Sequence, residues 1–243
     1  MTARAVRNEF AKLRHLHVGA LAGLLVLGVV GLTSVGVAAG GVDDLSWATL
    51  LASASLAVPL ASPLLIAVLA SRSVDVEHQD GGWLPAATAG TGRGGLCRAK
   101  LVATGAVLAA ATLAASLAIA GVGLLGAGAP APVGLWAGYT ASVLVIDLAL
   151  LALHVLLAAR VENQLVGLGV GIVGTVFGAI AIGFPAWLGH LTPWGYYALA
   201  AAADYRGGQV VTLTPAYASV AALGVVTAAA FWFVTHRLDR QEA

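Results

Sequence analysis

The chain has 243 residues, of which 60% are hydrophobic and only 9% are charged, and its formal net charge is +1. Soluble domains carry about 25% charged residues, so this chain has too few of them to cover a surface that faces water. The composition therefore argues against a soluble enzyme. The near-neutral net charge gives no signal for a polyanionic partner such as a nucleic acid.

Six apolar runs dominate the sequence, and each is long enough to cross a bilayer, which takes about 20 residues. Their Ala and Gly content favours helices over the alternating strands of a membrane barrel. The first run is longer than the apolar part of a signal peptide, about 7–15 residues, so we interpret it as a retained span. The predicted fold is an all-α polytopic membrane protein with a single domain over 1–243. The six predicted spans are 18–39, 46–70, 101–127, 133–158, 165–188 and 213–234.

The distribution of basic residues predicts the orientation. Of the 12 Lys and Arg residues, all but Arg206 fall in the two tails and in the second and fourth connections. Because Lys and Arg favour the inner side of a membrane, we expect both termini to be cytoplasmic, in a plasma or inner membrane. Trp and Tyr residues collect on the other side and predict an outer interfacial belt. These aromatic residues are Trp47, Trp136, Tyr139, Trp187, Trp194, Tyr196, Tyr197, Tyr205 and Tyr217.

Three segments outside the spans carry more than a simple connection requires. Residues 1–17 alternate apolar and basic positions near helical spacing, which indicates a helix lying in the inner interface. The second connection, 71–100, is the longest cytoplasmic element. Its acids precede two glycines and its bases follow them, and a short helix is expected over 83–89. The outer connection, 189–212, is broken by Pro193 and is expected to form short interfacial helices.

Asp147 and His154 are the two ionisable residues deep inside the predicted spans. They are seven residues apart, which places them on one helix face about 10 Å apart along the axis. A charge at mid-membrane is costly, so both are functional candidates, for instance in a proton relay. The alternative is that both face the helix bundle and bond to neighbouring hydroxyl groups or backbone.

The fifth span carries glycines at steps of four, three and four, which share one helix face. Small residues let two helix backbones approach closely, so this row predicts a tight helix–helix contact. A cofactor-binding glycine motif is not indicated, because no strand precedes the row. The row consists of Gly167, Gly171, Gly174 and Gly178.

The sequence lacks the motifs of the common catalytic chemistries. It has no G-x-x-x-x-G-K-[ST] phosphate loop, so this chain is not expected to hydrolyse ATP itself. It has no G-x-S-x-G nucleophile motif and no H-E-x-x-H zinc motif, and Cys97 is its single cysteine. We therefore predict no catalytic residue, no cofactor and no metal site in this chain.

Three stretches, in order along a six-span chain, resemble the membrane subunit of ABC-2 type ABC exporters. The first is Glu9-Phe-Ala-Lys12-Leu-Arg14, which is similar to the E-x-x-K-x-[RK] connecting helix of that family. The second is the connection 71–100, which is similar to the family's coupling segment. The third is the outer Pro185…Leu191-Thr-Pro193-Trp194, similar to a P…L-x-P element. The matching positions of the coupling segment are Glu77, Gly81, Arg93, Leu96, Ala99 and Lys100.

Within that family the chain most resembles the small six-span permeases of lantibiotic-immunity and bacitracin-type exporters. In those permeases a Trp follows the loop glycine, as Trp83 does here. One position departs from the family pattern: Gly90 stands where a Pro often precedes the loop arginine. This difference concerns the local bend of the loop more than the family resemblance.

The resemblance implies a type V exporter-like permease fold and a division of labour. Two permease subunits, identical or paired with a sister chain, would dock two separate ATPase subunits, which bind the ATP and Mg. The coupling segment would insert into a groove on the ATPase, with contacts from Glu77, Asp80, Trp83 and Arg93. The first, second and fifth spans surround the transport path in this family, so the glycine row would lie at or near the subunit interface.

The almost uncharged spans suit a hydrophobic or amphipathic cargo, such as a peptide antibiotic, a drug or a lipid, rather than a small ion. Two other functions stay open. An ion-coupled secondary transporter would rely on Asp147 and His154. A non-transporting immunity or sensor subunit of an ABC complex would bind the ATPase but move nothing.

Overall fold

A computed structural model describes residues 3–40, 45–79, 81–88 and 90–241. In this part of the chain six helices are long and apolar enough to cross a membrane, as the sequence predicted. A shorter helix, α1 (Ala3–His15), precedes them, and His17, with a φ of 55°, makes the turn between it and the first span. The six are α2 (Val18–Gly40), α3 (Trp47–Gln79), α5 (Arg93–Gly126), α6 (Val133–Arg160), α7 (Gln164–Ile180) and α10 (Tyr217–Gln241).

The second and third spans are longer than their apolar runs. Helix α3 has 33 residues and α5 has 34, which gives each a length of about 50 Å against an apolar layer of about 30 Å. The segment 71–100, which we expected to be a loop, is therefore largely helical. The end of an apolar run marks where a helix leaves the lipid, and polar residues continue the helix beyond that point. Between the two helices lies the short helix α4 (Trp83–Thr88), close to the one predicted over 83–89.

Helix α3 lies at the centre of the bundle and packs against α2, α5, α6 and α7. The core is built from aliphatic side chains of α3 and α6, such as Leu50, Ile66, Ile146 and Leu150. The outward faces of the surrounding helices carry large exposed apolar side chains, for example Leu125 of α5. This arrangement is typical of a bundle that is surrounded by lipid.

The bundle has two distinct ends. The first, which we name the terminal end, carries α1, the α3–α5 connection and the end of α10, where Gly95 N–H donates to Asp239. The second, the far end, carries the α5–α6 connection and the chain between α7 and α10. There Trp47 donates its indole N–H to the carbonyl of Ala129, and Ser53 is hydrogen-bonded to Tyr205.

The far end contains two short helices, α8 (Ala186–Gly189) and α9 (Tyr196–Ala200). A short helix at the position of α9 was predicted, whereas α8 lies almost entirely in the predicted fifth span, 165–188, which ends earlier, with α7 at Ile180. The far end also contains a β-hairpin that we did not predict, in which β1 (Ala203–Arg206) pairs with β2 (Gln209–Thr212) in antiparallel register. Gly207 and Gly208 have φ values of 58° and 79°, the two left-handed positions of a type I′ turn. This Gly-Gly pair was the sequence signal for the hairpin.

The expected outer aromatic belt is only partly correct. Trp187 and Tyr217 are exposed, as residues at a membrane interface should be. Trp47, Tyr139 and Tyr197 are instead buried in the core. Polar groups within the bundle explain the difference, because each phenol or indole needs a hydrogen-bond partner when buried and the far end supplies such partners.

Candidate functional site

Two acidic and two basic side chains meet in one cluster at the terminal end. Lys100 of α5 donates to Glu9 of α1 at 2.9 Å and to Glu77 of α3 at 2.7 Å. Lys12 of α1 donates to the same two carboxylates, at 2.8 and 2.6 Å. These four residues, which we call the charge cluster, therefore connect α1, α3 and α5. All four belong to motifs that the sequence singled out.

The charge cluster is buried but electrically balanced. The side chains of Lys100, Glu9 and Glu77 are 0%, 3% and 2% exposed, and that of Lys12 is 36% exposed. Lys100 also donates to the carbonyl of Ser73 at 2.6 Å, so each of its three N–H bonds has an acceptor. Two carboxylates facing two ammonium groups leave no net charge, which lowers the cost of removing them from water.

Lys12 is the member of the charge cluster that borders solvent. Partial burial lowers the pKa of Lys12, but its hydrogen bonds to Glu77 and Glu9 outweigh that effect and raise the pKa above the ordinary value of 10.5. Lys12 is therefore charged at neutral pH. Its charge, together with that of Lys100, balances the two carboxylates.

Apolar packing holds α1 in place beside the charge cluster. Leu13 is buried against Val18 of α2, Leu69 of α3 and Ala103 of α5. Arg14, the third residue of the predicted connecting helix, is exposed and lies outside the charge cluster. Helix α1 thus turns Glu9 and Leu13 toward the bundle and Arg14 away from it.

Two glycines make the turn that follows Glu77 possible. Gly81 has a φ of 63°, a conformation that L-residues with a side chain adopt at a cost. Gly82 lies directly against the carboxylate of Glu77, which occupies the space that a β-carbon would need. Its N–H donates to the carbonyl of Glu77 at 3.0 Å. The turn therefore closes over the charge cluster, and both glycines have a steric reason to be there.

Trp83 fixes the start of α4 between two neighbours. The Arg93 guanidinium lies 4.6 Å from the centre of the Trp83 ring, a cation–π contact, and the His78 ring lies edge-on at 5.5 Å. His78 in turn is bonded at 2.9 Å to the carbonyl of Ala158 in α6. The side chain of Trp83 thus attaches α4 directly to α3 and α5, and indirectly, through His78, to α6.

A groove of about 390 Å³ separates α1 from α4 on the outer side of the charge cluster. Lys12 and Glu77 form its floor, Asn8 lies on one wall, and Ala86 and Thr91 lie on the other. Its mixture of polar and apolar lining differs from the apolar grooves along the spans. The groove therefore has the character of a surface that contacts protein rather than lipid.

The last helix completes the terminal end, a contact that no sequence motif had indicated. Asp239 of α10 accepts hydrogen bonds from the Arg98 guanidinium at 2.6 Å and from Gly95 N–H at 2.9 Å. Arg98 also donates to Thr235 at 3.0 Å. Gly94 packs against the carbonyl of Thr235 with no room for a side chain. Asp239 therefore satisfies N–H groups at the start of α5 that the helix itself leaves free.

The positions of the predicted coupling residues differ from one another. Trp83 and Arg93 are partly exposed, at the surface where a partner would bind. Glu77 and Lys100 are buried, and the Glu77 carboxylate accepts hydrogen bonds from two lysines. Direct contact of Glu77 with a partner stays a prediction. Asp80 lies outside the described residues.

The glycine row of α7 makes a tight contact within the chain. Gly171 packs against Ala67 of α3 so closely that an added β-carbon would lie 2.6 Å from that methyl group. Gly178 lies against Pro59 and Gly167 against Ser71, both of α3, while Gly174 faces the indole of Trp194. The predicted helix–helix contact is confirmed. Residues of α3 and Trp194 cover the four glycines within the chain. A subunit interface at or near the row stays a prediction.

Asp147 is buried, and two hydroxyl groups donate to it. Tyr197 donates to one carboxylate oxygen at 2.6 Å and Thr112 of α5 donates to the other at 2.9 Å. This confirms, for Asp147, the expectation that it faces the bundle and bonds to neighbouring hydroxyl groups. Tyr197 lies in the far-end segment, so this segment enters the bundle at Asp147.

His154 is also buried, but in the described part of the chain neither ring nitrogen has a hydrogen-bond partner. Its ring lies edge-on to Trp194 at 6.4 Å between centroids. The residues 193–197 therefore cover both ionisable positions of α6, with Trp194 over His154 and Tyr197 on Asp147. The expected hydrogen bonding of His154 is not observed.

The described part of the chain has the architecture of a multi-pass membrane protein. Six apolar helices form the bundle, and the buried charge cluster lies at its terminal end. Residues 5–178 match the sequence model of a family described as ABC-2 family transporter protein. This match covers more than half of the chain and includes the whole charge cluster, so the chain belongs to the ABC-2 transporter family. It is thus a permease-type membrane subunit of an ABC transporter. No curated protein matches the chain.

Proposed function

We propose that the chain is the membrane-spanning permease of an ATP-driven exporter and that its terminal end faces the cytoplasm. The orientation is supported by the charge distribution, since Arg206 alone among the 12 Lys and Arg residues lies at the far end. The ATP and Mg are bound by a separate ATPase subunit. Two copies of that subunit serve a pair of permeases, identical or sister chains.

The observation that carries this proposal is the charge cluster directly beneath α4. Helix α4 lies at the tip of the terminal end, and Gly82, one residue before it, touches Glu77. The ATPase docks on α4 and on the groove beside it, with Trp83 and Arg93 forming the contact. Glu77 acts behind that contact as a positioning residue.

The cluster supplies a mechanical link from the docking surface to the spans. Because Glu77 lies in the last turn of α3 and Lys100 lies about two turns into α5, their ion pair makes the two helices move together when α4 is displaced. Glu9 and Lys12 add α1 to the same unit. Closure of the ATPase dimer would thus be transmitted to the central helix α3 and to α5, which together border most of the bundle.

A hydrophobic or amphipathic cargo, such as a peptide antibiotic, drug or lipid, fits the apolar character of the bundle. A groove of about 720 Å³ runs along the spans between α5, α6 and α10. Its lining includes Arg98 and Trp232 near the terminal end, and most of the remaining lining residues are apolar. The outward face of α7, opposite the glycine row, offers an apolar surface for a second permease.

The test is co-purification of the tagged chain from native membranes in mild detergent, with a measurement of vanadate-sensitive ATP hydrolysis. The Trp83→Ala variant should lose most of the co-purifying ATPase, because it removes the side chain that fixes α4. The Trp187→Ala variant is the matched control, since this Trp is exposed at the far end. Equal ATPase recovery with both variants would contradict the docking surface, and elution of the unmodified chain without any ATPase would contradict the exporter.

An ion-coupled carrier is the second candidate, and the buried carboxylate of Asp147 is the observation that favours it. Such a carrier would stop when the ion gradient is dissipated with ATP still present, whereas an ATP-driven exporter would continue. A sensor or immunity subunit would bind the ATPase in the same assay but would move no cargo into inverted membrane vesicles.

A further inference from the structure

A narrow crevice runs inside the bundle between α2, α3, α5 and α6 and reaches Asp147. Its volume is about 30 Å³. A buried water needs about 10–15 Å³ of such space, so the crevice has room for about two water molecules. Its walls are mainly aliphatic, but a polar stripe follows the seam between α5 and α6. The stripe consists of Thr112, Ser116, Trp136, Tyr139 and Thr140.

The stripe leads from the middle of the bundle to the far end. From Asp147 to Trp136 it follows α6 for three turns, a distance of about 16 Å, and Trp136 is in the first turn of that helix. Ser116 and Thr140 are hydrogen-bonded to each other at 2.6 Å, and Trp136 donates to Ser116 at 2.9 Å. Thr112, one turn along α5 from Ser116, donates to Asp147. Polar atoms therefore recur at every turn of the path.

The charge of Asp147 has no cationic partner in the described part of the chain. Two phenols face it: Tyr139 lies on its own helix, in the crevice lining, and Tyr197 of α9 donates to its carboxylate. The crevice lining contributed by α2, α3 and α5 is aliphatic, Ser or Thr, without Lys, Arg, His or Glu. His154 lies two turns along α6, against Trp194. A buried carboxylate with hydroxyl partners alone is strongly disfavoured as an anion, and a proton is the smallest charge that relieves it.

We propose that Asp147 is a proton-binding site that exchanges with solvent at the far end through this hydrated crevice. Uptake of a proton removes the negative charge to which Tyr197 donates. The hydrogen bond that holds α9 in the bundle is then weaker, because bonds to charged acceptors are the stronger ones. Proton occupancy of Asp147 is in this way linked to the seating of the segment 193–200 against α6.

The first experiment tests whether the crevice is wet. Cys97 is the single cysteine and is buried, so a Cys97→Ala background permits one probe at a time. Ala115→Cys places a thiol in the crevice, and Ala114→Cys, on the adjacent outward-facing position, is the matched control. Ser62→Cys is a second crevice probe that adds almost no volume.

Hydrogen peroxide, a reagent close to water in size, oxidises a thiolate to a sulfenic acid and is itself reduced to water, and the thiolate forms where water is present. In detergent-purified protein we expect both crevice probes to react at least about tenfold faster than the control thiol, because the control faces lipid or detergent. Crevice thiols that react no faster than Ala114→Cys would show a dry crevice and overturn the proposal.

The second experiment tests proton binding itself. The carbonyl stretching band of the protonated Asp147 carboxyl group is followed by infrared difference spectroscopy, with Asp147→Asn as the blank, so no reagent has to enter the crevice. We expect this band to decrease as the pH is raised between about 5 and 9, since the ionised form lacks it. In Tyr197→Phe the midpoint of that decrease should lie at higher pH, because one donor to the ionised form is lost.

A band of constant intensity across this pH range, or no band at any pH, would overturn the proposal. Both measurements use the purified chain without ATPase, cargo or transport. Their failure would therefore leave the exporter untouched, and a failure of the exporter would leave them interpretable.

Discussion

Lys12 and Lys100 donate hydrogen bonds to the same oxygen atom, Oε1 of Glu77, at 2.6 and 2.7 Å. One lysine comes from α1 and the other from α5, so a single atom of α3 is the point where three helices are joined. The two lysines differ in environment, since Lys100 is fully buried and Lys12 borders solvent. They should therefore differ in how far the fold depends on them.

Replacing Lys100 with Met should destabilise the protein by about 3–5 kcal/mol, because it leaves two buried carboxylates with too little positive charge. Thermal unfolding in detergent micelles, followed by circular dichroism, measures the effect. Lys12→Met is the matched control and should lower the unfolding temperature less, since water can replace part of its role. Equal losses in the two variants would contradict the burial argument.

Gly82→Ala should disturb the charge cluster, whereas Gly81→Asn should be tolerated. A methyl group at position 82 meets the Glu77 carboxylate, which two lysines hold in place. Asn adopts the left-handed conformation of Gly81 more readily than other residues, and position 81 has open space. The measurement is the unfolding temperature of the two variants, with Gly81→Val as a third that should lose about 1–2 kcal/mol. A Gly82→Ala protein as stable as the parent would contradict this geometry.

Gly174→Ala and Gly169→Ala should have opposite effects although both lie on α7. A β-carbon at position 174 collides with the indole of Trp194, and we expect a loss of about 1–3 kcal/mol. Position 169 is open within 4 Å, so Ala there should stabilise the helix by about 0.5–1 kcal/mol. Unfolding temperatures in micelles distinguish the two, and a destabilised Gly169→Ala variant would mean that another surface covers this face of α7.

Asp239→Asn should loosen the contact between α10 and the start of α5. The variant loses its ion pair with Arg98 while its shape is retained, and we expect a cost of about 1 kcal/mol. A double-mutant cycle with Arg98→Met isolates the pair. The exposed pair of Arg206 and Asp204 in the hairpin is the control and should show no measurable coupling. A coupling energy of zero for Arg98 and Asp239 would count against a structural role of the chain end.

Much of the fold could be read from the sequence, because lipid imposes a simple rule on span length. The six helices and the tight α7 contact follow from apolar runs and glycine spacing alone. The ends of α3 and α5 could not be found that way, since hydropathy falls where a helix leaves the apolar layer although the helix itself continues in polar residues. The hairpin was not predicted, because Pro193 and the aromatic residues of this segment indicated short helices. The Gly207-Gly208 pair was nevertheless a sequence signal for its turn.

The sequence identified the motif residues individually, but it did not predict that they contact one another. Glu9, Glu77 and Lys100 lie on three different helices, and only the crossing of those helices decides whether they touch. No motif indicated a role for Asp239, because a single acidic residue in a tail forms no recognisable pattern and its contact with α5 depends on how the helices pack. Asp147, in contrast, could be singled out from the sequence, because a charged residue in the middle of a span is energetically costly. Only the structure identified its partners, Tyr197 and Thr112.

The place of α10 at the start of α5 sets an order of assembly. Chains emerge from the ribosome with the N-terminus first, so Glu9, Glu77 and Lys100 can pair as soon as the third span has been inserted. Asp239 is synthesised later than these residues, so the N–H of Gly95 lacks this acceptor until α10 has been made. In a nascent chain truncated before α10, the charge cluster would therefore hold the first three spans together, but the beginning of α5 would lack its contacts with α10. Insertion of the last helix is thus the step that completes the terminal end during biogenesis.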